Sequence, residues 1–127
     1  MRHFSESEFD SPDAPGSGRN MQPGTLKALD LARERTGKPY VITSGYRTPA
    51  HNAKVGGVKD SAHVRGYAAD ISIDGWPEAD VVRLIADLTA VGFRRIGRAR
   101  TFVHADNDPD KPRPAYWDYL DGEQHTA

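Results

Sequence analysis

The sequence contains no cysteine, and this absence limits the chemistry that the chain can perform. Without thiols it has neither disulfides nor thiolate metal sites, so any bound metal must be held by histidine, aspartate or glutamate. Histidine is also scarce, and the five histidines are His3, His51, His63, His104 and His125. A metal site that uses histidine is therefore confined to a few positions.

Other absences exclude whole classes of protein. No apolar run approaches the length of a membrane span, and residues 1–6 lack the apolar core of a signal peptide, so we expect neither a membrane partner nor self-directed export. The net charge of -1 offers no general attraction to nucleic acid. A chain of 127 residues is long enough for one domain with a modest core. We therefore predict a single, monomeric domain over residues 1–127, structured at about 4–120.

The pattern of apolar residues and turn residues predicts an α+β fold. The predicted helices show helical spacing or capping signals, and they cover residues 5–10, 24–36, 50–54 and 77–92. The predicted strands are short apolar runs between turn residues, at 40–43, 68–73, 93–97, 101–104 and 116–120. The third and fourth strands would form a hairpin, the last would be an edge strand, and segment 10–20 would be a loop without structure of its own. We predict a small antiparallel or mixed sheet with helices mainly on one face.

The stretch from Ser61 to Ile73 combines a polar loop that carries His63 with an apolar strand that carries Asp70. An ionised carboxylate in a buried strand is costly unless something compensates its charge. A divalent metal would do so, with His63 as a second ligand and His104, on a later apolar segment, as a third. Two histidines and a carboxylate around zinc, with the fourth position left to water, form a set typical of hydrolytic sites.

Each of these residues also has a simpler interpretation. A histidine after a loop serine is usually solvated or hydrogen-bonded, and an aspartate at a strand edge usually caps a turn or pairs with arginine, so only the joint pattern indicates a metal. Strand alternation would place Phe102, His104 and Asp106 on one side. Asp106 would then either orient a metal-binding histidine or accept a proton from water, and the spacing leaves both roles open.

Two charged segments after residue 93 allow other readings. The arginine-rich segment 94–100 would either meet an anionic substrate or wall polymer or, as is more common, solvate and protect an edge strand. The aspartates of segment 106–110 resemble the start of a calcium loop. Lys111 and Trp117 occupy the positions that need glycine and glutamate, so we predict no calcium site.

The segment Ser61-x-His63-x-x-Gly66-x-Ala68-x-Asp70-Ile71 resembles the signature of the zinc D-alanyl-D-alanine carboxypeptidase-like family, whose members cut peptidoglycan peptides. The resemblance covers roughly residues 4 to 120, and over this length the chain is similar to the compact members that are common in phages and bacteria. Other segments that carry it are Phe4-Ser5, Glu8-Phe9, 42–52, 55–57, Gly92-Phe93, Ile96-Gly97, 102–106 and Trp117. It implies a fold like that of Hedgehog and the D-Ala-D-Ala peptidases.

The resemblance also implies roles for individual residues. The zinc ligands would be His63, Asp70 and His104. Arg47 would be catalytic and would hold the substrate carbonyl or carboxylate, lowering the barrier by ~3–4 kcal/mol, the scale of one oxyanion donor; its alternative role is a salt bridge to a nearby acid. The expected substrate-binding residues are Arg47, Ser61 and Trp117, and Ser61 would alternatively orient or cap its loop.

The sequence departs from the family at one position. Many members carry an acid or histidine as general base three residues before the last zinc histidine, where this chain has Thr101. Asp106 is the preferred substitute because of strand geometry, and His51 is the second candidate. The alternative to catalysis is a zinc-stabilised binding module of a cell wall or phage tail, since the Hedgehog domain resembles these enzymes in its zinc site.

Together these observations predict a zinc metallopeptidase that hydrolyses peptidoglycan stem peptides or cross-links, as a carboxypeptidase or an endopeptidase. A phage or prophage endolysin fits this prediction, with access to the wall through a holin, a virion or lysis. The expected cofactor is Zn²⁺ and the expected partner is a peptidoglycan peptide. A nucleic-acid partner is not expected.

Overall fold

The structure is a computed structural model that describes residues 1–119. Its strands are β1 (Ile42–Ser44), β2 (Ala68–Ser72), β3 (Arg95–Arg98), β4 (Phe102–Asp106) and β5 (Ala115–Asp118). Its α-helices are α1 (Pro23–Thr36), α2 (Pro49–Lys54) and α3 (Glu78–Ala90), and 3-10 helices cover Glu6–Phe9 and Ser17–Asn20. Within residues 1–119 the sheet has the order β1-β2-β4-β3-β5. All neighbouring strands are antiparallel except β3 and β5, which run parallel, so the predicted α+β fold with a mixed sheet is confirmed.

One face of the sheet carries the hydrophobic core. In β2, Ala69 and Ile71 are buried in this core, and Val103 and Ala105 of β4 lie beside them in register. Helices α1 and α3 pack against each other and contribute buried leucines to the same cluster. Because side chains alternate along a strand, the residues between these core positions face the opposite side of the sheet. The packing of the helices therefore leaves that second face available for a site.

The helices lie close to their predicted positions. Helix α1 begins with Pro23 and ends before Gly37, whose φ of 73° provides the left-handed C-terminal cap. The short N-terminal helix begins with the predicted capping box, in which the backbone N–H of Ser5 donates to Glu8 at 2.7 Å. No helix within residues 1–119 is long and apolar enough to cross a membrane.

The prediction that segment 10–20 lacks structure was wrong. The carboxylate of Asp10 accepts hydrogen bonds from the backbone N–H of Gly16 at 2.9 Å and of Gly18 at 2.7 Å. These bonds fold the segment back on itself and lead into the 3-10 helix Ser17–Asn20. A single side chain thus orders a stretch whose composition is typical of an open loop.

The arginine-rich strand β3 lies inside the sheet and not at its edge, so its predicted role in protecting an edge was wrong. The chain returns after the polar loop 107–114 and adds β5 in parallel beside β3. In β3, Arg95 pairs with Asp106 and Arg98 pairs with Glu78. Strand β5 is the edge strand that the sequence predicted, although Leu120, the last residue of that prediction, lies outside the described residues.

Candidate metal centre and cleft

A single row of residues crosses the face of the sheet opposite the core. The strand registers pair Ser44 with Asp70, Asp70 with His104, His104 with Gly97 and Gly97 with Trp117. Each strand therefore contributes one residue to the row. Asp70 and His104, which are 34 positions apart in sequence, become direct cross-strand neighbours at the middle of the sheet.

His63 joins this pair from the loop before β2. Its Nε2 lies 3.3 Å from Oδ1 of Asp70, and Nδ1 of His104 lies 3.0 Å from the same oxygen. All three side chains are buried. Among the described residues they form a group whose potential ligand atoms lie within 4.8 Å of one another, as a shared metal ion requires. The sequence-predicted ligand set is thus brought together.

The outer nitrogen of each imidazole faces an acceptor. Nδ1 of His63 lies 2.8 Å from the carbonyl oxygen of Gly45, and Nε2 of His104 lies 2.6 Å from Oδ2 of Asp106. A carbonyl or an ionised carboxylate only accepts, so these outer nitrogens carry the protons. In the neutral rings, the inner nitrogens then present lone pairs to the Asp70 carboxylate. Two lone pairs and an anion directed at one point form a donor set that fits a zinc ion.

The pKa shifts of His63, Asp70 and His104 show that these three buried side chains need positive charge among them. Burial lowers the pKa of His63 despite the neighbouring carboxylate of Asp70. Burial also opposes ionisation of Asp70, but the two histidines outweigh it and hold the pKa of this carboxyl well below its usual range. For His104, burial is outweighed by hydrogen bonds to Asp106 and Asp70, which raise its pKa. Without a metal, a proton on His104 partly balances the two carboxylates, and a metal would compete with that proton.

Ser61 holds the loop that presents His63. The residue is fully buried, and its Oγ accepts a hydrogen bond from the backbone N–H of His63 at 3.1 Å. Gly66 then lets the loop pass close to Asn20, since a Cβ at Gly66 would lie 2.3 Å from the Asn20 carbonyl oxygen. Its φ of 81° is also in the left-handed region. These contacts correspond to the loop-orienting alternative for Ser61, and its role in substrate binding stays a prediction.

Arg47 lies under the same group and is 2% exposed. Its Nη2 is 3.6 Å from Oδ2 of Asp70, and its other nitrogens donate to Ser44 Oγ at 3.1 Å and to Asn52 Oδ1 at 3.2 Å. Burial lowers the pKa of this guanidinium, while Asp70 opposes the shift. The guanidinium stays charged at neutral pH. A fixed cation therefore lies beside the outer oxygen of the candidate metal ligand.

Asp106 is fully buried on the far side of the His104 ring from Asp70. Its Oδ2 faces His104, and its Oδ1 accepts from Nε of Arg95 at 2.9 Å and from the backbone N–H of Asp108 at 3.2 Å. Burial raises its pKa, but the hydrogen bond to His104 and the charges of His104 and Arg95 outweigh this and lower the pKa overall. Of the two roles that the sequence left open, these contacts favour orientation of His104.

The remaining candidates lie in different places. The Trp117 ring is centred 5.5 Å from that of His104, and it covers Gly97 so closely that a Cβ there would lie 2.4 Å from the indole nitrogen. His51, the second candidate base, lines a separate surface cleft with Pro12 and Asp13. Trp117 therefore borders the candidate centre, and His51 belongs to another surface.

A cleft of about 380 Å³ opens beside Asp70. It is lined by residues of β1, β2 and β4 and their ends: Thr43, Ser44, Asp70, Ser72, Asp74, Thr101 and Phe102. Three of them, Thr43, Ser72 and Asp74, were not predicted as site residues from the sequence. The alternation that places Asp70 on this face also extends to Ser72, so the sequence did contain a signal for that residue. The other two depend on how β1 pairs and how β2 ends.

Comparison with known proteins agrees with this geometry. A sequence model of the family described as Peptidase M15 matches residues 3–106, which include Arg47 and all three candidate ligands. A search of curated proteins gave no match. The family is one of zinc-dependent peptidases, and the match covers most of the chain. The resemblance found in the sequence is confirmed, and the chain belongs to the peptidase M15 family of metallopeptidases.

Proposed function

We propose that this protein is a zinc-dependent peptidase that hydrolyses the stem peptides or cross-links of peptidoglycan. The observation that carries the proposal is the convergence of His63 Nε2, Asp70 Oδ1 and His104 Nδ1 at one buried point beside an open cleft. A core histidine pair would not need both outer nitrogens directed at acceptors and both inner nitrogens directed at one carboxylate. A metal-binding group does need this arrangement.

The proposed ligands are His63, Asp70 and His104. Bound zinc would act there as a Lewis acid and would activate water for hydrolysis. The protein's own contribution is orientation, because the Gly45 carbonyl holds the ring of His63 and the Asp106 carboxylate holds that of His104. We therefore assign Asp106 to orienting His104, since both of its oxygens already have partners.

Arg47 is proposed to bind the charged or polarised oxygen of the substrate. Ser44 and Asn52 hold its guanidinium, so the cation is already in position before substrate arrives. A preorganised donor of this kind stabilises the negative charge that develops on the carbonyl oxygen during hydrolysis. Because Arg47 lies beside Asp70, its positive charge is next to the proposed reaction centre.

The cleft supports a peptide as substrate. Hydroxyl groups of Thr43, Ser44 and Ser72 line it and can donate to or accept from a peptide backbone, and Phe102 adds an apolar contact. Its volume of about 380 Å³ suits a segment of a few residues. Trp117, beside His104, is proposed as a further substrate contact, and Ser61 as the residue that orients the loop of His63. Access to the wall would come through phage lysis or a virion.

Zymography on purified cell wall tests this function. We expect clearing by the wild-type protein, loss of clearing with a chelator, recovery with added Zn²⁺ and no clearing by His104→Ala. Mass spectrometry of the released fragments identifies the bond that is cut. Clearing that survives chelation would eliminate the metal mechanism.

A zinc-stabilised wall-binding module is the second candidate. Two observations favour it: Thr101 occupies the position of the general base in many relatives, and the Asp106 oxygens are already engaged. This candidate predicts a folded, zinc-loaded protein that co-sediments with cell wall and releases no fragments. The same zymogram, combined with a zinc assay, therefore distinguishes the two functions.

A further inference from the structure

We propose that Arg95 is a positioning residue for the metal centre, which it reaches through Asp106 and His104. Arg95 lies beside Asp106 in the register of β3 and β4. Its Nε donates to Asp106 Oδ1 at 2.9 Å, and its Nη1 donates to the Pro112 carbonyl oxygen at 2.8 Å. This inference rests on the proposed metal site. It extends the site to Arg95, whose two hydrogen bonds go to Asp106 and Pro112 and not to a proposed ligand.

The environment of Arg95 leaves its side chain little freedom. The side chain is 12% exposed, and its guanidinium carbon lies 5.2 Å from the centre of the Trp117 ring. Two hydrogen bonds and one aromatic face thus hold the guanidinium from three sides. A planar group held in this way fixes the direction of the carboxylate that it binds.

That direction decides how His104 is presented. Because Arg95 and the backbone N–H of Asp108 occupy Oδ1 of Asp106, the other oxygen faces Nε2 of His104 at 2.6 Å. The bond to Nε2 orients the ring so that Nδ1 points at Asp70. A buried carboxylate also needs a compensating charge, which Arg95 supplies. A chain of contacts therefore runs from Arg95 to the proposed ligand atom.

Arg98, on the same strand, provides a matched control. Strand alternation places it on the opposite side of β3 from Arg95, and it pairs with Glu78 at 2.7 Å. Its removal deletes the same charge from the same strand, together with an ion pair to a more exposed carboxylate, and leaves Asp106 untouched. Lysine at position 95 would keep the charge, but it cannot reproduce the two directed bonds to Asp106 and Pro112.

The experiment measures Zn²⁺ affinity by competition with a chromophoric chelator for the wild type, Arg95→Gln, Arg95→Lys and Arg98→Gln. We expect Arg95→Gln to weaken binding by about 10- to 100-fold, the effect of losing an orienting partner of a metal ligand. Arg95→Lys should recover part of this loss, and Arg98→Gln should bind as the wild type does. Co²⁺ absorption spectra should show shifted bands in Arg95→Gln, because the orientation of His104 changes.

Two results would overturn the inference. One is Arg95→Gln that binds Zn²⁺ as tightly as the wild type. The other is weaker binding with Co²⁺ bands at the wild-type positions, since a merely structural role leaves the coordination unchanged. If Arg95→Gln does not fold, Arg95→Lys decides the question by the same two readouts. A wild-type protein that binds no Zn²⁺ would instead overturn the proposed function itself.

Discussion

Asp70 and Asp87 are both buried carboxylates, 3% and 2% exposed, but their surroundings differ in one respect. Asp87, in α3, accepts hydrogen bonds from Thr36 Oγ1 at 2.8 Å, from Arg83 Nε at 3.1 Å and from Arg35 Nε at 3.3 Å. Each of these partners carries its own proton. The carboxylate of Asp87 therefore has all its charge and hydrogen bonds balanced by protein donors, and these bonds connect α1 to α3.

Asp70 instead meets the inner nitrogens of His63 and His104, whose outer nitrogens face acceptors. The arginine beside it, Arg47, is 3.6 Å away, beyond good hydrogen-bond distance. Burial of a charge therefore does not by itself indicate function. A buried carboxylate such as Asp70, whose partners also need a cation, is typical of a metal ligand. A buried carboxylate such as Asp87, whose partners are all hydrogen-bond donors, is typical of a structural role.

The sharpest test of this contrast replaces each carboxylate by the amide of the same shape. Asp70→Asn should lower the peptidase rate by at least about 10³-fold, because a metal supplies several kcal/mol of transition-state stabilisation. Asp87→Asn should leave the rate per folded molecule unchanged and lower the free energy of unfolding by about 1–3 kcal/mol, because Arg35, Thr36 and Arg83 lose a charged acceptor. Peptide hydrolysis and urea unfolding measure the two effects. Equal loss of activity in both folded variants would refute the distinction.

The neighbouring arginines extend the comparison. Arg47→Gln should reduce kcat/KM by about 10²- to 10³-fold, since a preorganised cation beside the reaction centre is lost. Arg83→Gln removes an arginine that is 61% exposed beside Asp87, so it should leave kcat/KM unchanged and alter stability by less than about 1 kcal/mol. Steady-state kinetics on a stem peptide distinguish them. If Arg47→Gln kept full activity, the cation would be only a structural partner of Asp70.

Alkaline pH should lower the free energy of unfolding through Tyr40, which lies beside the Asp87 group. Burial, reinforced by the charge of Asp87 and opposed by the hydrogen bond to Thr36, raises the pKa of Tyr40 to about 12. The folded state then holds this proton more tightly than the unfolded chain, whose tyrosine titrates near 10. The stability that results is complete below about pH 10 and is lost as the pH rises through 12, about 3 kcal/mol in all.

Urea unfolding between about pH 8 and pH 12 measures this loss. Tyr40→Phe should flatten the pH dependence and leave peptidase activity at neutral pH unchanged, because Tyr40 contacts the Asp87 group and not the proposed centre. An equally steep decline in Tyr40→Phe would assign the effect to other residues.

Two of the candidate ligands were predictable from a local signal, because His63 and Asp70 lie seven positions apart across one loop and strand. His104 lies 34 positions after Asp70, and its assignment depended on the scarcity of histidine and on the family resemblance. Strand alternation also predicted correctly that Asp106 lies on the same side as His104. The structure of segment 10–20 was harder to predict, because it depends on Asp10 accepting hydrogen bonds from the backbone of Gly16 and Gly18. Composition describes how easily a chain can bend, but it does not specify which side chain will close a turn.

Periodicity and residue chemistry are properties of short segments, so the α+β class, the approximate positions of the helices and strands, and the residues able to hold a metal could be predicted without a structure. The parallel pairing of β5 with β3 and the contact between Arg95 and Asp106 could not. The imidazole nitrogens that face Asp70 were likewise visible only in the folded molecule. Those features depend on strand register and on contacts between distant segments, and register is set when the whole sheet packs on its core.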